Sequence, residues 1–185
     1  MALTPVQTTI AGVHVVKTDK LKDARGSFSR LFCQNELSSL VGARQIVQIN
    51  RSQTQSVGAV RGMHYQLPPY SEMKLIRCLR GRVFDVAVDL RAGSPTFLKW
   101  HAEELSEDNS FMLVVPEGCA HGFQVLDPGS ELLYLHTSFY QPAFEGGIRF
   151  DDPRLAIEWP LQACDVSQRD LNHPLLKDDY EGIKL

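Results

Sequence analysis

Through the middle of the chain, apolar and polar residues alternate or gather in short β-branched blocks. The blocks lie at residues 12–17, 44–50, 74–79, 82–90 and 111–115. That period of two, with Val and Ile prominent, is the signature of strands. Arg80-Gly81, Ala92-Gly93-Ser94-Pro95, Pro116-Glu117-Gly118 and Asp127-Pro128-Gly129-Ser130 punctuate the blocks at close intervals. These sequences supply the φ angles and missing donors at which antiparallel strands reverse. Helical patterning is confined to residues 35–41 and to two starts near the C-terminus, Asp152-Pro153-Arg154 and Ser167-Gln168-Arg169-Asp170. The pattern predicts an all-β fold, a double-sheet jelly roll with short peripheral helices, in one domain over residues 1–185.

Composition changes this picture little. At 185 residues and 43% hydrophobic content, the chain is long enough for one sizeable core. A net charge of -3, with no run of like charges, argues against nucleic acid and membrane surfaces as partners. The N-terminus lacks a basic region followed by an apolar run, and no stretch is long enough to span a bilayer, so a soluble cytoplasmic protein is expected. Cys33, Cys78, Cys119 and Cys164 are scattered and form no C-x-x-C pair; they read as reduced packing residues.

The chemistry concentrates in two segments, Arg61-Gly62-Met63-His64-Tyr65-Gln66 and Pro116-Glu117-Gly118-Cys119-Ala120-His121-Gly122-Phe123. Each sets one histidine beside strand sequence, as a barrel does when it aims two imidazoles into a common cavity. The second segment resembles the P-x-G-x-x-H motif of the cupins. In the first, Gln66 stands where a metal-binding cupin has its second histidine. That leaves two histidines, His64 and His121, with Glu72 the one further candidate and the cation Lys74 close by in sequence; two histidines beside a cation are a poor donor set for a divalent ion, which takes three or four deprotonated donors. No metal is expected, and His64 reads as a general base, surrounded by more polar groups than a packed barrel interior tolerates.

Seven ordered segments carry a wider resemblance: residues 23–28, 48–52, 61–66, 83–91, 116–123, 151–153 and 167–170. Over nearly its whole length the chain resembles the dTDP-4-dehydrorhamnose 3,5-epimerase family of nucleotide-sugar epimerases, which have a cupin-like double-stranded β-helix. The resemblance implies a nucleoside-diphosphate 4-keto-6-deoxy sugar as substrate and no cofactor. The ketone at C4 acidifies the hydrogens on C3 and C5; removing one gives an enolate, and return of a proton to the opposite face inverts the centre. By match to the family's motifs, His64 is the base, Asp170 orients and stabilises its imidazole, Tyr134 protonates the opposite face and Lys74 stabilises the enolate oxygen. Arg61, Gln48 and Asn50 match positions holding pyrophosphate and sugar. Arg25 and Phe28 match an arm reaching the nucleotide, and Gln66, His121, Tyr140 and Glu145 are further substrate-binding candidates. A homodimer follows by the same match, with an N-terminal strand of each subunit joining the other's sheet; the apolar residues 13–16 are compatible with such an edge.

The chain also departs from the family's pattern. Arg30 stands where the rhamnose-pathway enzymes usually have glutamate, and Ser27, Met63, Cys119 and Phe139 replace frequent family residues beside matched positions. Three alternatives therefore stay open at this level: a 3- or 5-mono-epimerase of another nucleotide-linked deoxy sugar, a metal-dependent cupin enzyme, and a barrel that binds a nucleotide sugar without turning it over.

Overall fold

The computed structural model describes residues 2–185. In chain order the strands are β1 (Leu3–Gln7), β2 (His14–Thr18), β3 (Lys20–Asp23), β4 (Gly26–Ser29), β5 (Gln48–Thr54), β6 (Val60–Gln66), β7 (Lys74–Arg80), β8 (Arg82–Asp89), β9 (Trp100–Ser106), β10 (Met112–Val115), β11 (Cys119–Val125), β12 (Ser130–His136) and β13 (Glu145–Gly147). One sheet has the order β1-β2-β10-β7-β12-β5, and the sheet facing it β13-β6-β11-β8-β9, with antiparallel pairing throughout. This is the double-sheet jelly roll the patterning predicts, in the cupin-like form the resemblance implies. The hairpin β3-β4 stands apart as a two-stranded ribbon.

Apolar runs along β7, β8, β10 and β11 are continuous because both faces of these strands are covered. Val15, Ile76, Ala87, Leu113, Phe123 and Leu132 pack between the sheets. Val16, Leu75, Met112 and Val114 pack outward against Leu37 and Val41 of the short helical segment. Val86, Val88 and Ala120 pack outward against Leu155, Leu176 and Ile183 of the C-terminal region. Burial on two faces removes the polar alternation that marks a half-exposed strand.

Several boundaries differ from the sequence expectation. The block at 44–50 becomes a strand only from Gln48, because Arg44 leaves the strand path to ion-pair with Glu117. It continues through Arg51 and Gln53, whose side chains hold Glu131 across the β5-β12 ladder. The helix at 35–41 shrinks to α1 (Ser38–Val41), which has no side-chain cap. Asp152-Pro153-Arg154 starts no helix. Asp152 is buried and accepts from the amides of Arg154 and Leu176, at 2.8 and 2.6 Å, tying the C-terminal region to itself. Ser167 does cap α2 (Gln168–Leu171), its hydroxyl accepting from Asp170 N at 3.1 Å. Residues 13–16 form no free edge: β2 lies between β1 and β10, and β1 is the outer strand. Among the described residues, no helix is long and apolar enough to cross a membrane.

Candidate active site

Alternation inside the barrel builds the site. On β12 the inward positions are Leu132, Tyr134 and His136; on β7, Cys78, Ile76 and Lys74 face them. On β5, Asn50 and Ser52 pair with Tyr134 and Leu132, and on β11 His121 follows Phe123 inward. Inward positions are thus apolar at one end of the barrel and polar at the other. The polar end opens as a cavity of about 570 Å³ lined by Asn50, Ser52, Arg61, His64, Glu72, Lys74, His121, Tyr134, His136, Tyr140, Glu145 and Arg169, together with Ile49, Arg51 and Phe123.

Arg61 and His64 both reach this cavity although they lie three apart on one strand. The register explains it: His121 pairs with His64 and Phe123 with Arg61, so β6 spends one more residue than β11 over the same span. Such a bulge re-aims the side chains beyond it. Gly62 sits inside the bulge at φ +117°, where an added Cβ would stand 2.6 Å from Gly122 Cα. Only glycine fits that approach. The same backbone position lets Gly62 N donate to Asp170 Oδ2 at 3.1 Å.

The other carboxylate oxygen, Asp170 Oδ1, lies 2.8 Å from His64 Nε2. An ionised carboxylate only accepts, so Nε2 carries the hydrogen and Nδ1 keeps its lone pair. Burial alone would raise the Asp170 carboxyl, but the hydrogen bonds from His64 and Gly62 outweigh it and hold the group far below the usual carboxylate range. Arg169, which sequence reasoning passed over, lays Nη2 3.1 Å from His64 Nε2 and Nη1 3.3 Å from Glu145. Its neighbour in sequence is Asp170, and the cap at Ser167 that positions one positions both.

Across the cavity Tyr134 donates to or accepts from Ser52 Oγ at 3.2 Å, and burial pushes its phenol far above the ordinary tyrosine range. Lys74 Nζ donates to His64 O at 3.1 Å and lies 3.2 Å from Glu72 Oε1. Glu72 also accepts from His136 Nδ1 at 2.7 Å; despite burial, His136 and Lys74 draw its carboxyl below the ordinary value. His121 Nε2 is 2.8 Å from Asp85 Oδ1, beneath the cavity floor, and complete burial raises the Asp85 carboxyl. His64, His121 and Glu72 each hold a separate partner, Asp170, Asp85 and His136.

Four expected binding residues lie elsewhere. Gln66 is buried and faces away: its amide donates to Tyr70 O at 2.9 Å and its carbonyl accepts from Gln141 N at 2.7 Å, fastening two loops. Gln48 stands at the rim, accepting from Tyr140 N at 3.1 Å and donating to Asn50 Oδ1 at 3.3 Å, so it orders two cavity residues without lining the cavity. Arg25 and Phe28 belong to the β3-β4 ribbon, away from this cavity; Arg25 pairs with Asp23 and Phe28 is 66% exposed. Tyr140 and Glu145 are at the mouth as expected, joined by a 2.9 Å hydrogen bond. Arg30 ion-pairs with Glu36.

Fold and cavity define a cupin-like barrel with a polar, open ligand site whose histidines are paired to carboxylates. The chain belongs to the dTDP-4-dehydrorhamnose 3,5-epimerase family, whose model matches residues 7–178. It is 43% identical over 177 residues to the dTDP-4-dehydrorhamnose 3,5-epimerase of Shigella flexneri, covering 95% of this chain and 97% of that one. The structure of the dTDP-6-deoxy-D-glucose-3,5-epimerase of Legionella pneumophila Philadelphia 1, in complex with dTDP-4-keto-L-rhamnose, superposes with a TM-score of 0.91 at 36% identity, covering 99% and 98% of the two chains. A 4-keto-6-deoxy sugar epimerase from the novobiocin cluster of Streptomyces spheroides superposes at 0.90 with 34% identity, covering 95% and 88%.

Proposed function

We propose that this chain is a cofactor-independent epimerase that converts dTDP-4-dehydro-6-deoxy-D-glucose to dTDP-4-dehydro-L-rhamnose by inversion at C3 and C5. The observation that carries this reading is the His64-Asp170 pair, opposite a buried tyrosine in one polar cavity. Relatives named for this reaction cover nearly the whole chain and support the choice of substrate.

His64 Nδ1 takes the proton from C3 or C5, and Asp170 stabilises the imidazolium formed. Charge then develops on the C4 oxygen, where Lys74, tied to the His64 backbone carbonyl, supplies the cation. Tyr134 returns a proton to the opposite face; its high affinity for the proton keeps the phenol protonated until an enolate needs it. Arg61 and Arg169 offer guanidinium groups to the diphosphate, and Asn50, His121, Tyr140 and Glu145 surround the sugar. An exposed aromatic on a ribbon remote from its own cavity supports a homodimer in which Arg25 and Phe28 serve the nucleotide site of the partner. A soluble, cytoplasmic location accords with a nucleotide-sugar substrate.

The test is incubation of the purified protein with dTDP-4-dehydro-6-deoxy-D-glucose, with the ring configuration of the product read from proton NMR couplings. Accumulation of the L-rhamno product is expected. A product inverted at one carbon, or an unchanged substrate, contradicts the reading.

A further inference from the structure

Beside the His64-Asp170 pair stands a third side chain that the proposed reaction does not use. His173 lies three residues after Asp170, just beyond the end of α2, and its ring meets that of His64 edge-on with centroids 5.5 Å apart. Its Nε2 is buried, forms no hydrogen bond among the described residues, and points at Asp170 Oδ1 from 3.8 Å. Gly147 leaves room for the ring: any Cβ there would run into all three of the imidazole atoms nearest it. Two imidazole nitrogens and a carboxylate oxygen therefore converge within 4.8 Å of one another.

We infer that His64, Asp170 and His173 form a binding site for a transition-metal dication of the Zn²⁺ class, and that its occupancy switches the enzyme off. Two neutral imidazoles and one carboxylate, with a water in the fourth position, satisfy a tetrahedral ion with bonds near 2.0–2.1 Å. The separations of 2.8 and 3.8 Å need only small side-chain rotations to bracket such an ion. Binding expels the Nε2 proton of His64 to solvent, and the ion takes its place between imidazole and carboxylate. Arg169, whose side chain is 56% exposed, has to swing outward and give up both its Nη2 contact with His64 Nε2 at 3.1 Å and its Nε contact with Asp170 Oδ1 at 3.4 Å. An imidazole that donates its Nε2 lone pair to a dication is a weak base at Nδ1, so proton abstraction stops.

The inhibitory effect rests on the reading of His64 as base, whereas the site itself does not. The test compares the metal-free protein with His173→Ala, and with His173→Gln, which retains volume under Gly147. Co²⁺ is added first, and the visible d–d bands of a tetrahedral nitrogen-oxygen site are recorded; Zn²⁺ is then titrated against epimerase activity. In the wild-type protein, bands appear with Co²⁺, and activity falls at least roughly tenfold with micromolar Zn²⁺ and returns with EDTA. Both variants, active without metal, lose the bands and need at least about tenfold more Zn²⁺ for the same inhibition, as expected when one of three ligands is removed. A wild-type protein without bands, or Zn²⁺ inhibition unchanged by both substitutions, overturns the site. Absence of any activity in metal-free wild type defeats the epimerase reading and leaves the cobalt spectrum to decide the site alone.

Discussion

His64 Nε2 and Asp170 Oδ1 lie 2.8 Å apart although 106 residues separate them in the chain. The contact is built by two local devices, the Ser167 cap that turns Asp170 toward β6 and the bulge at Gly62 that donates its amide to the same carboxylate. Asp170→Asn keeps the shape but offers the imidazole an amide and so permits the wrong tautomer. The expected result is a fall in kcat of about 10²–10⁴ with the KM for the nucleotide sugar little changed. Steady-state kinetics on the purified variant check it; equal kcat values for wild type and variant contradict the orienting role.

Tyr134 separates proton removal from inversion. Tyr134→Phe retains the base, so substrate still forms the enolate and exchanges its hydrogens with solvent, but the proton returns from the face it left. Product formation is expected to fall by about 10² or more while exchange falls less. NMR in D2O reads both quantities in one sample, and loss of both in step contradicts the division of labour.

The ribbon carrying Arg25 and Phe28 contributes no side chain to the lining of its own cavity. Arg25→Ala and Phe28→Ala together are expected to raise KM with little change in kcat. A mixture of this double variant with His64→Ala is expected to regain wild-type KM through mixed dimers, because both defects then fall in one site and leave the other with an intact His64 and an intact arm. Size-exclusion chromatography showing monomers, or no recovery on mixing, contradicts the shared site.

Acid stability depends on a structural carboxylate. Asp89 is fully buried and accepts from Arg91 N and Nε at 3.0 and 2.8 Å, and from the hydroxyls of Ser94 and Thr96. Burial would raise its carboxyl, but these donors outweigh burial and lower it. A depressed folded-state pKa adds stability above the unfolded value near 3.9, and this is lost as pH falls through the folded value. Asp89→Asn is expected to cost about 1–3 kcal/mol at neutral pH, a gap that narrows below about pH 4. Denaturant melts at pH 7 and pH 3.5 measure it, and a constant gap contradicts the linkage.

The barrel was legible because its strands carry β-branched residues on two covered faces, as on β8 and β10. The strand β5 was half hidden, since Asn50 and Ser52 face a wet cavity and Arg51 and Gln53 face solvent, leaving no apolar period to read. Within the candidate site, His64, Tyr134, Lys74 and His121 were named from motifs and line one cavity, with Asp170 hydrogen-bonded to His64. Gln66 misled because strand parity puts it beside the cavity residues, whereas two loop carbonyls claim its amide. Asp85, His136 and Arg169 were missed for a common reason. Each is held by a partner distant in sequence, His121, Glu72 and Glu145, and no local spacing signals such a pairing.

The most direct measurement is deuterium entry at C3 and C5 when the protein turns over dTDP-4-dehydro-6-deoxy-D-glucose in D2O, with His64→Ala run beside it. Deuterium at both carbons in the wild-type product, and at neither in the variant, is the predicted result. Deuterium at one carbon only, or entry that survives the loss of His64, would contradict a 3,5-epimerase that uses His64 as its base.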